Sequence, residues 1–81
     1  MRVNVKLFAI VREKAGLGEL QVDVPEGSTV ATAAEALSAR LPAVGEHLRR
    51  AAFAVNQSYT PRETVLRDGD ELAVIPPVSG G

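Results

Sequence analysis

The sequence predicts an α+β domain in which a mixed sheet of four to five strands carries one main helix packed across it. Three observations predict this class. Two segments near the N-terminus alternate apolar and polar residues, one later segment repeats apolar residues at helical spacing, and two further strand patterns follow it. The chain has 81 residues, enough for one domain and too few for two. We expect a domain over residues 1–75 and an extended tail over 76–81.

The first two strands are predicted from alternation. In residues 2–11 the odd-numbered side chains point to one face, and Phe8 and Ile10 point to the other. A turn over residues 12–18 leads into a second alternating segment over 20–24. We therefore expect these two strands to pair as a hairpin.

The main helix is predicted after the break at residues 25–27, where proline and glycine disfavour a continuing strand. Ser28 or Thr29 can cap it. Apolar residues then recur at spacings of four, three and four, which puts them on one face: Val30, Ala34, Leu37 and Leu41. Pro42 ends this helix, and residues 43–50 suit a second short helical segment.

The C-terminal half contains two more strands, at residues 51–55 and 71–75. Asn56 and Gln57 are predicted to form a turn, residues 58–65 to be irregular, and residues 68–70 to form a tight turn. The order strand, strand, helix, strand, strand is typical of the ubiquitin-like β-grasp arrangement. A ferredoxin-like fold would need a second long helix, which residues 43–50 are too short to supply.

The composition excludes several classes of function. The net charge of -1 provides no positive field for phosphates, so no nucleic acid is expected as a partner. The absence of cysteine excludes disulfides, thiolate metal sites and a cysteine nucleophile, and His47 alone does not make a metal site. No apolar stretch approaches the roughly 20 residues that span a bilayer. We expect no bound metal, no membrane partner and a cytoplasmic location.

The end of the chain carries the chemistry. Pro76 and Pro77 favour an extended base for the tail, while Gly80 and Gly81 lack side chains and can thread a narrow channel. A β-carbon on either terminal residue would crowd the last carbonyl. The pair therefore suits a terminal carboxylate that another enzyme activates as an acyl adenylate and that a sulfur nucleophile then converts to a thiocarboxylate.

The C-terminal segment over residues 66–81 resembles the signature of the MoaD and ThiS family of sulfur carriers. It combines an Asp-Gly-Asp turn, one strand, two prolines and the ending Pro-Pro-Val-Ser-Gly-Gly, which favours the MoaD branch. The start of the chain around residues 5–16 and the Val-Asn-Gln of residues 55–57 are also similar to the family. The resemblance covers essentially the whole chain.

This resemblance implies a role as the non-catalytic, sulfur-donating subunit of molybdopterin synthase. An E1-like enzyme (MoeB-like) would use ATP to adenylate Gly81, and a sulfur donor protein would complete the thiocarboxylate. The large subunit (MoaE-like), in a heterotetramer, would bind the pterin precursor, cyclic pyranopterin monophosphate. The chain itself would bind no cofactor. Alternatives are a related carrier for thiazole or tRNA thiolation, a protein modifier, or a β-grasp interaction module without acyl chemistry.

The sequence also indicates a docking surface. If Val3, Val5 and Leu7 face the helix, Phe8 and Ile10 lie on the opposite sheet face. Likewise, if Leu72 and Val74 face inward, Ala73 and Ile75 face outward. Tyr59 could add an aromatic anchor. The residues expected to bind partner proteins are Phe8, Tyr59, Ile75, Pro76, Pro77, Val78 and Ser79.

Overall fold

The first strand, β1 (Arg2–Leu7), lies in the interior of a five-stranded mixed sheet. The computed structural model describes residues 1–77. In spatial order the sheet contains β2 (Glu19–Asp23), β1, β5 (Glu71–Ile75), β3 (Ala52–Val55) and β4 (Ser58–Thr60). β1 and β5 are parallel, and all other neighbours are antiparallel. This is the β-grasp arrangement, so the predicted fold class is confirmed.

The segment after β1 is a helix, α1 (Ala9–Ala15), where the sequence had predicted the rest of a strand and then a turn. Val11 is fully buried, but it reaches the core from this helix rather than from a strand. Ile10 packs partly buried against the core, so its predicted position on the opposite face of the sheet was wrong. Gly16 ends the helix at φ 80° and donates its N–H to the carbonyl of Arg12.

The main helix, α2 (Val30–Arg40), begins as the sequence predicts. The Thr32 N–H donates to Oγ1 of Thr29 at 3.3 Å, which makes Thr29 the N-cap. Two amides of the first turn, which have no partner within the helix, donate to carbonyls of the loop before β5: the Val30 N–H to Thr64 and the Ala31 N–H to Arg62. The loop over residues 61–66 therefore satisfies the N-terminus of α2 and is fixed by it.

A short 3-10 helix (Pro42–Val44) and the helix α3 (Gly45–Arg50) follow α2 and confirm the predicted helical segment. One core forms between the sheet and these helices. Its fully buried side chains include residues from β1, α1, β2, α2 and β5 and from the connecting segments: Val3, Val5, Leu7, Val11, Val22, Val30, Leu37, Val44, Leu66, Leu72 and Val74. All three apolar odd-numbered residues of β1 face this core, as the alternation predicts.

The turn between β3 and β4 consists of Asn56 and Gln57, at φ 50° and 71°. Two-residue hairpin turns with both central residues at positive φ match the twist of the flanking strands. The predicted turn is confirmed, while the irregular chain predicted after it instead begins with the three-residue edge strand β4.

Candidate functional site

The base of the tail leaves the sheet at the end of β5. Ile75 is half-buried, Pro76 is buried and Pro77 is exposed, so the chain stays packed on the domain for one residue beyond the strand. Val78, Ser79, Gly80 and Gly81 were predicted to form the reactive and partner-binding end, and they lie outside the described residues. The structure thus shows where β5 ends and which residues of the sheet surround that end.

The face of the sheet turned away from the helices carries an apolar surface beside this point. We call it the open-face patch and define it by six residues on four strands or their ends: Phe8, Ala52, Ala54, Tyr59, Ala73 and Ile75. Adjacent members pair directly, because Ala52 lies opposite Ile75, and Ala54 lies opposite both Ala73 and Tyr59. The patch spans from β1 to β4, which is about 14 Å at ordinary strand spacing.

The patch has two large side chains at its rims and small ones at its centre. Phe8 is 44% exposed and Tyr59 is 74% exposed. Between them, Ala54 and Ala73 are small enough to be almost covered by their neighbours. The patch therefore has an aromatic side chain at each of two edges and a shallow apolar floor between them.

Charged residues border the patch on one side. Lys6 lies next to Ala73 across the β1–β5 pair, and its Nζ is 3.1 Å from Oε1 of Glu71. Both side chains are partly buried by the surrounding sheet. This ion pair lies toward the start of β5, whereas Phe8, Ala52 and Ile75 lie toward the tail. The end of the patch nearest the tail is thus its apolar end.

The Asp-Gly-Asp motif lies at the opposite end of β5 from the tail. Its residues make three hydrogen bonds to β1 that are shorter than 3 Å: the Arg2 N–H donates to Oδ1 of Asp68 at 2.7 Å, the Gly69 N–H to the Arg2 carbonyl at 2.8 Å, and the Asn4 N–H to the Asp70 carbonyl at 2.9 Å. A longer fourth bond joins Nδ2 of Asn4 to the Gly69 carbonyl at 3.5 Å. Gly69 is at φ 85°, which favours glycine. The motif therefore acts in folding, as the turn prediction implied.

Asp70 also joins this turn to the β3–β4 turn. Its Oδ2 accepts the Arg67 N–H at 2.8 Å, and its Oδ1 accepts Nδ2 of Asn56 at 3.0 Å. Asn56 then receives the Glu71 N–H on its Oδ1, and its own N–H donates to the Glu71 carbonyl. The family-like residues Asn56 and Asp70 are thus parts of one network that fixes where β5 begins.

Arg62 is a structural residue that the sequence did not indicate. Its guanidinium donates to the carbonyls of Leu48 and Arg49 at the end of α3 and lies 4.7 Å from the ring centre of Phe53. It therefore satisfies a helix C-terminus and covers the core beneath β3.

Within residues 1–77 no group of three histidine or acidic side chains is arranged to hold a metal ion. None of the helices described is long and apolar enough to cross a membrane. His47 is half-buried in the last turn of α3.

The structure brings the predicted docking residues Phe8, Tyr59 and Ile75 onto one face. Ala52 and Ala54 were not among the predicted docking residues. The alternation of Ala52 and Ala54 with Phe53 was the signal for a two-sided strand.

Comparison with known proteins identifies the family of the chain. The profile of the ThiS family matches residues 5–81. The molybdopterin synthase sulfur carrier subunit of Mycobacterium tuberculosis is 40% identical, with 100% of this chain and 99% of that protein covered. The protein of the same name from Arabidopsis thaliana is 36% identical, with 100% and 84% covered.

Among solved structures, small archaeal modifier protein 1 of Haloferax volcanii superimposes with a TM-score of 0.92 at 32% identity, and all of both chains is covered. The resemblance noted in the sequence is therefore confirmed, and the chain belongs to the ThiS/MoaD family.

Proposed function

We propose that this chain is the sulfur carrier subunit of molybdopterin synthase and that it carries sulfur as a thiocarboxylate on Gly81. The observation that carries the proposal is full-length similarity to relatives of that name, combined with a Gly-Gly end in this sequence. The position of the apolar end of the open-face patch beside the tail base supports it.

The proposed cycle begins with activation of the terminal carboxylate. A carboxylate oxygen of Gly81 attacks the α-phosphate of ATP on an E1-like enzyme, and pyrophosphate leaves. A sulfur nucleophile from a donor then attacks the carbonyl carbon, and AMP leaves with the electron pair of the broken bond. If the nucleophile is hydrosulfide, this substitution gives the thiocarboxylate directly. If it is the terminal sulfur of a donor persulfide, the product is an acyl disulfide; a thiol then attacks the donor's sulfur, forms a disulfide with the donor and leaves the electron pair of the broken S–S bond on the thiocarboxylate.

The chain contributes delivery to this cycle rather than catalysis. It has no cysteine on which sulfur could be held instead. Gly80 and Gly81 would let an enzyme channel close around the main chain, so that the reacting carbon is reached without a side chain in the way. The walls of that channel would contact the main chain and the small side chains of the preceding tail residues, Pro77, Val78 and Ser79.

The folded body would provide the affinity. We propose that the large synthase subunit, the partner that binds the pterin precursor, covers Phe8, Ile75 and Tyr59 while it receives the tail. Burial of one large apolar side chain stabilises a complex by about 1.5–3 kcal/mol, so two or three such anchors would hold the carrier long enough for transfer. A heterotetramer would follow from two carriers on a dimer of large subunits.

Reconstitution tests this function directly. The thiocarboxylated chain is mixed with the large subunit and cyclic pyranopterin monophosphate, and molybdopterin is measured by its fluorescent oxidation product. We expect product in proportion to the thiocarboxylate consumed. A chain whose thiocarboxylate survives intact in the presence of an active large subunit would contradict the proposal.

A second function is favoured by one observation, the TM-score of 0.92 with a small archaeal modifier protein. A protein modifier would use the same activated Gly81 but transfer its acyl carbon to a lysine amine. The two functions differ in the product, since sulfur transfer returns the free carboxylate and conjugation leaves an isopeptide bond. Mass spectrometry of lysine-containing peptides from cells that express the chain distinguishes them.

A further inference from the structure

Ala9, at the junction of β1 and α1, has a left-handed backbone at φ 51°. It is one of three non-glycine residues at positive φ within residues 1–77, and the other two form the β3–β4 turn, where the hairpin requires that conformation. An L-residue in this region is strained, because its Cβ lies too close to the following carbonyl oxygen, and glycine would avoid this strain. The methyl group of Ala9 is exposed, so its own packing does not offset this strain.

Ala9 changes the direction of the chain between Phe8 and Val11, whose side chains lie on opposite faces of the sheet. Phe8 is extended, at φ -127° and ψ 157°, and continues the alternation of β1, so its side chain leaves on the same face as Lys6. Two residues after Ala9, Val11 is fully buried in the layer of helices on the other face. The Phe8 carbonyl accepts the N–H groups of Val11 and Arg12 at 3.2 and 3.3 Å. A change at Ala9 therefore alters the angle between Phe8 and α1.

We propose that Ala9 is a positioning residue, whose restricted left-handed backbone holds the Phe8 side chain outward on the open-face patch in the orientation that the partner binds. The inference rests on the proposed function for the identity of the partner, the large synthase subunit. Glycine would relieve the strain but would also widen the range of backbone angles next to Phe8.

A comparison of three chains that differ at position 9 distinguishes the effect of backbone strain from the effect of backbone flexibility. The natural chain is strained and restricted, Ala9→Gly is unstrained and flexible, and a synthetic chain with D-alanine at position 9 is unstrained and restricted, because D-residues favour positive φ. Gln57→Gly is the matched control, since it relieves the same conformation in the turn at the far end of the sheet. The dissociation constant for the large subunit and the melting temperature are measured for all four.

We expect Ala9→Gly to raise the dissociation constant about threefold, which follows if Phe8 keeps the binding orientation for about one third of the time. The D-alanine chain and Gln57→Gly should bind within about twofold of the natural chain, a spread of roughly 0.4 kcal/mol. All three variants should melt at or above the natural temperature. Binding of Ala9→Gly as tight as that of the natural chain would overturn the inference, and so would equal weakening of the glycine and D-alanine chains.

A measurement on the free protein keeps this inference distinct from the proposed function. The order parameter of the Phe8 side chain, from NMR relaxation, should be high in the natural and D-alanine chains and lower in Ala9→Gly. Equal order in all three would overturn the positioning role even if sulfur transfer proceeds. Failure of the natural chain to donate sulfur, with a flexible Phe8 in Ala9→Gly, would instead count against the proposed function alone.

Discussion

Replacement of Asp70 by alanine tests whether the Asp-Gly-Asp motif acts in folding rather than in sulfur chemistry. The substitution removes the carboxylate that accepts the Arg67 N–H at 2.8 Å and Nδ2 of Asn56 at 3.0 Å. These two contacts fix the turn before β5 and connect it to the β3–β4 turn. Their loss should destabilise the domain at the end of the sheet opposite the tail.

The magnitude follows from the two hydrogen bonds. Each bond to a charged acceptor contributes about 1.5–3 kcal/mol when well shielded, and less when solvent competes for the same atoms. Because both bonds are solvent-accessible, we expect a total loss of about 2 kcal/mol. For a domain of this size that corresponds to a fall in melting temperature of about 8–16 °C.

Thermal unfolding followed by circular dichroism measures this loss, and Asp23→Ala is the matched control. This substitution removes one ion pair, between Oδ1 of Asp23 and Nε of Arg2 at 3.1 Å. The side chain of Asp23 is 73% exposed and that of Arg2 is 60% exposed. Such exposed pairs contribute about 0–1 kcal/mol. If Asp70→Ala melted within about 2 °C of Asp23→Ala, the network would not stabilise the fold. If folded Asp70→Ala failed to accept sulfur, the motif would have a chemical role that we exclude.

Three further predictions concern the patch, the hairpin and the loop. Phe8→Asp and Ile75→Asp should each weaken the complex with the large subunit by about 10-fold or more, which corresponds to about 1.4 kcal/mol. Val65→Asp is the control and should not weaken it, because Val65 is 59% exposed beside the start of α2, away from the patch. Equal effects of the three substitutions in titration calorimetry would refute a specific patch. Gln57→Gly should raise the melting temperature by about 2–6 °C, because relief of the left-handed conformation exceeds the added entropy of the unfolded chain; an unchanged or lower value would show that Gln57 is not strained. Leu66→Ala should cost about 2–5 kcal/mol in urea unfolding, because the side chain is 2% exposed and anchors the loop that satisfies α2; a cost below 1 kcal/mol would contradict that anchoring role.

The sequence predicted the elements with strong periodicity. The helix α2 and the strand β5 could be assigned because their apolar spacing is regular and their ends carry specific residues, Thr29 and Pro42 for the helix and Gly69 for the strand. Each of these residues acts through a local rule of capping, steric restriction or turn conformation. Local rules can be read without knowledge of the rest of the fold.

The helix α1 could not be predicted in the same way. In its sequence Val11 continues the odd-numbered alternation of β1, so the strand pattern extends past the point where the strand ends. The distinction depends on the sharp change at Ala9, a left-handed alanine that no local preference favours. The packing of Val11 against the core decides that this segment is a helix and not a strand. The spacing of four between Leu7, Val11 and Ala15 was a weak signal for the helix.

The candidate site also depends partly on local sequence patterns and partly on the arrangement of the whole fold. Phe8 and Ile75 follow from alternation along a single strand, which is local. The part of the patch that β3 contributes, Ala52 and Ala54, depends on which strands become neighbours in the sheet. The placement of β3 between β5 and β4 is a property of the whole fold.

The central claim is that sulfur is carried on the terminal carboxyl group of Gly81. The most direct measurement is the intact mass of the chain after incubation with the E1-like enzyme, ATP and a sulfide source, with fragmentation to locate any change. We expect a species about 16 Da heavier, from replacement of oxygen by sulfur, with the added mass confined to the C-terminal residue. Localisation matters because oxidation of Met1, the single methionine, adds nearly the same mass. An unmodified C-terminus with an enzyme that activates another carrier, or added mass on Met1 alone, would contradict the account.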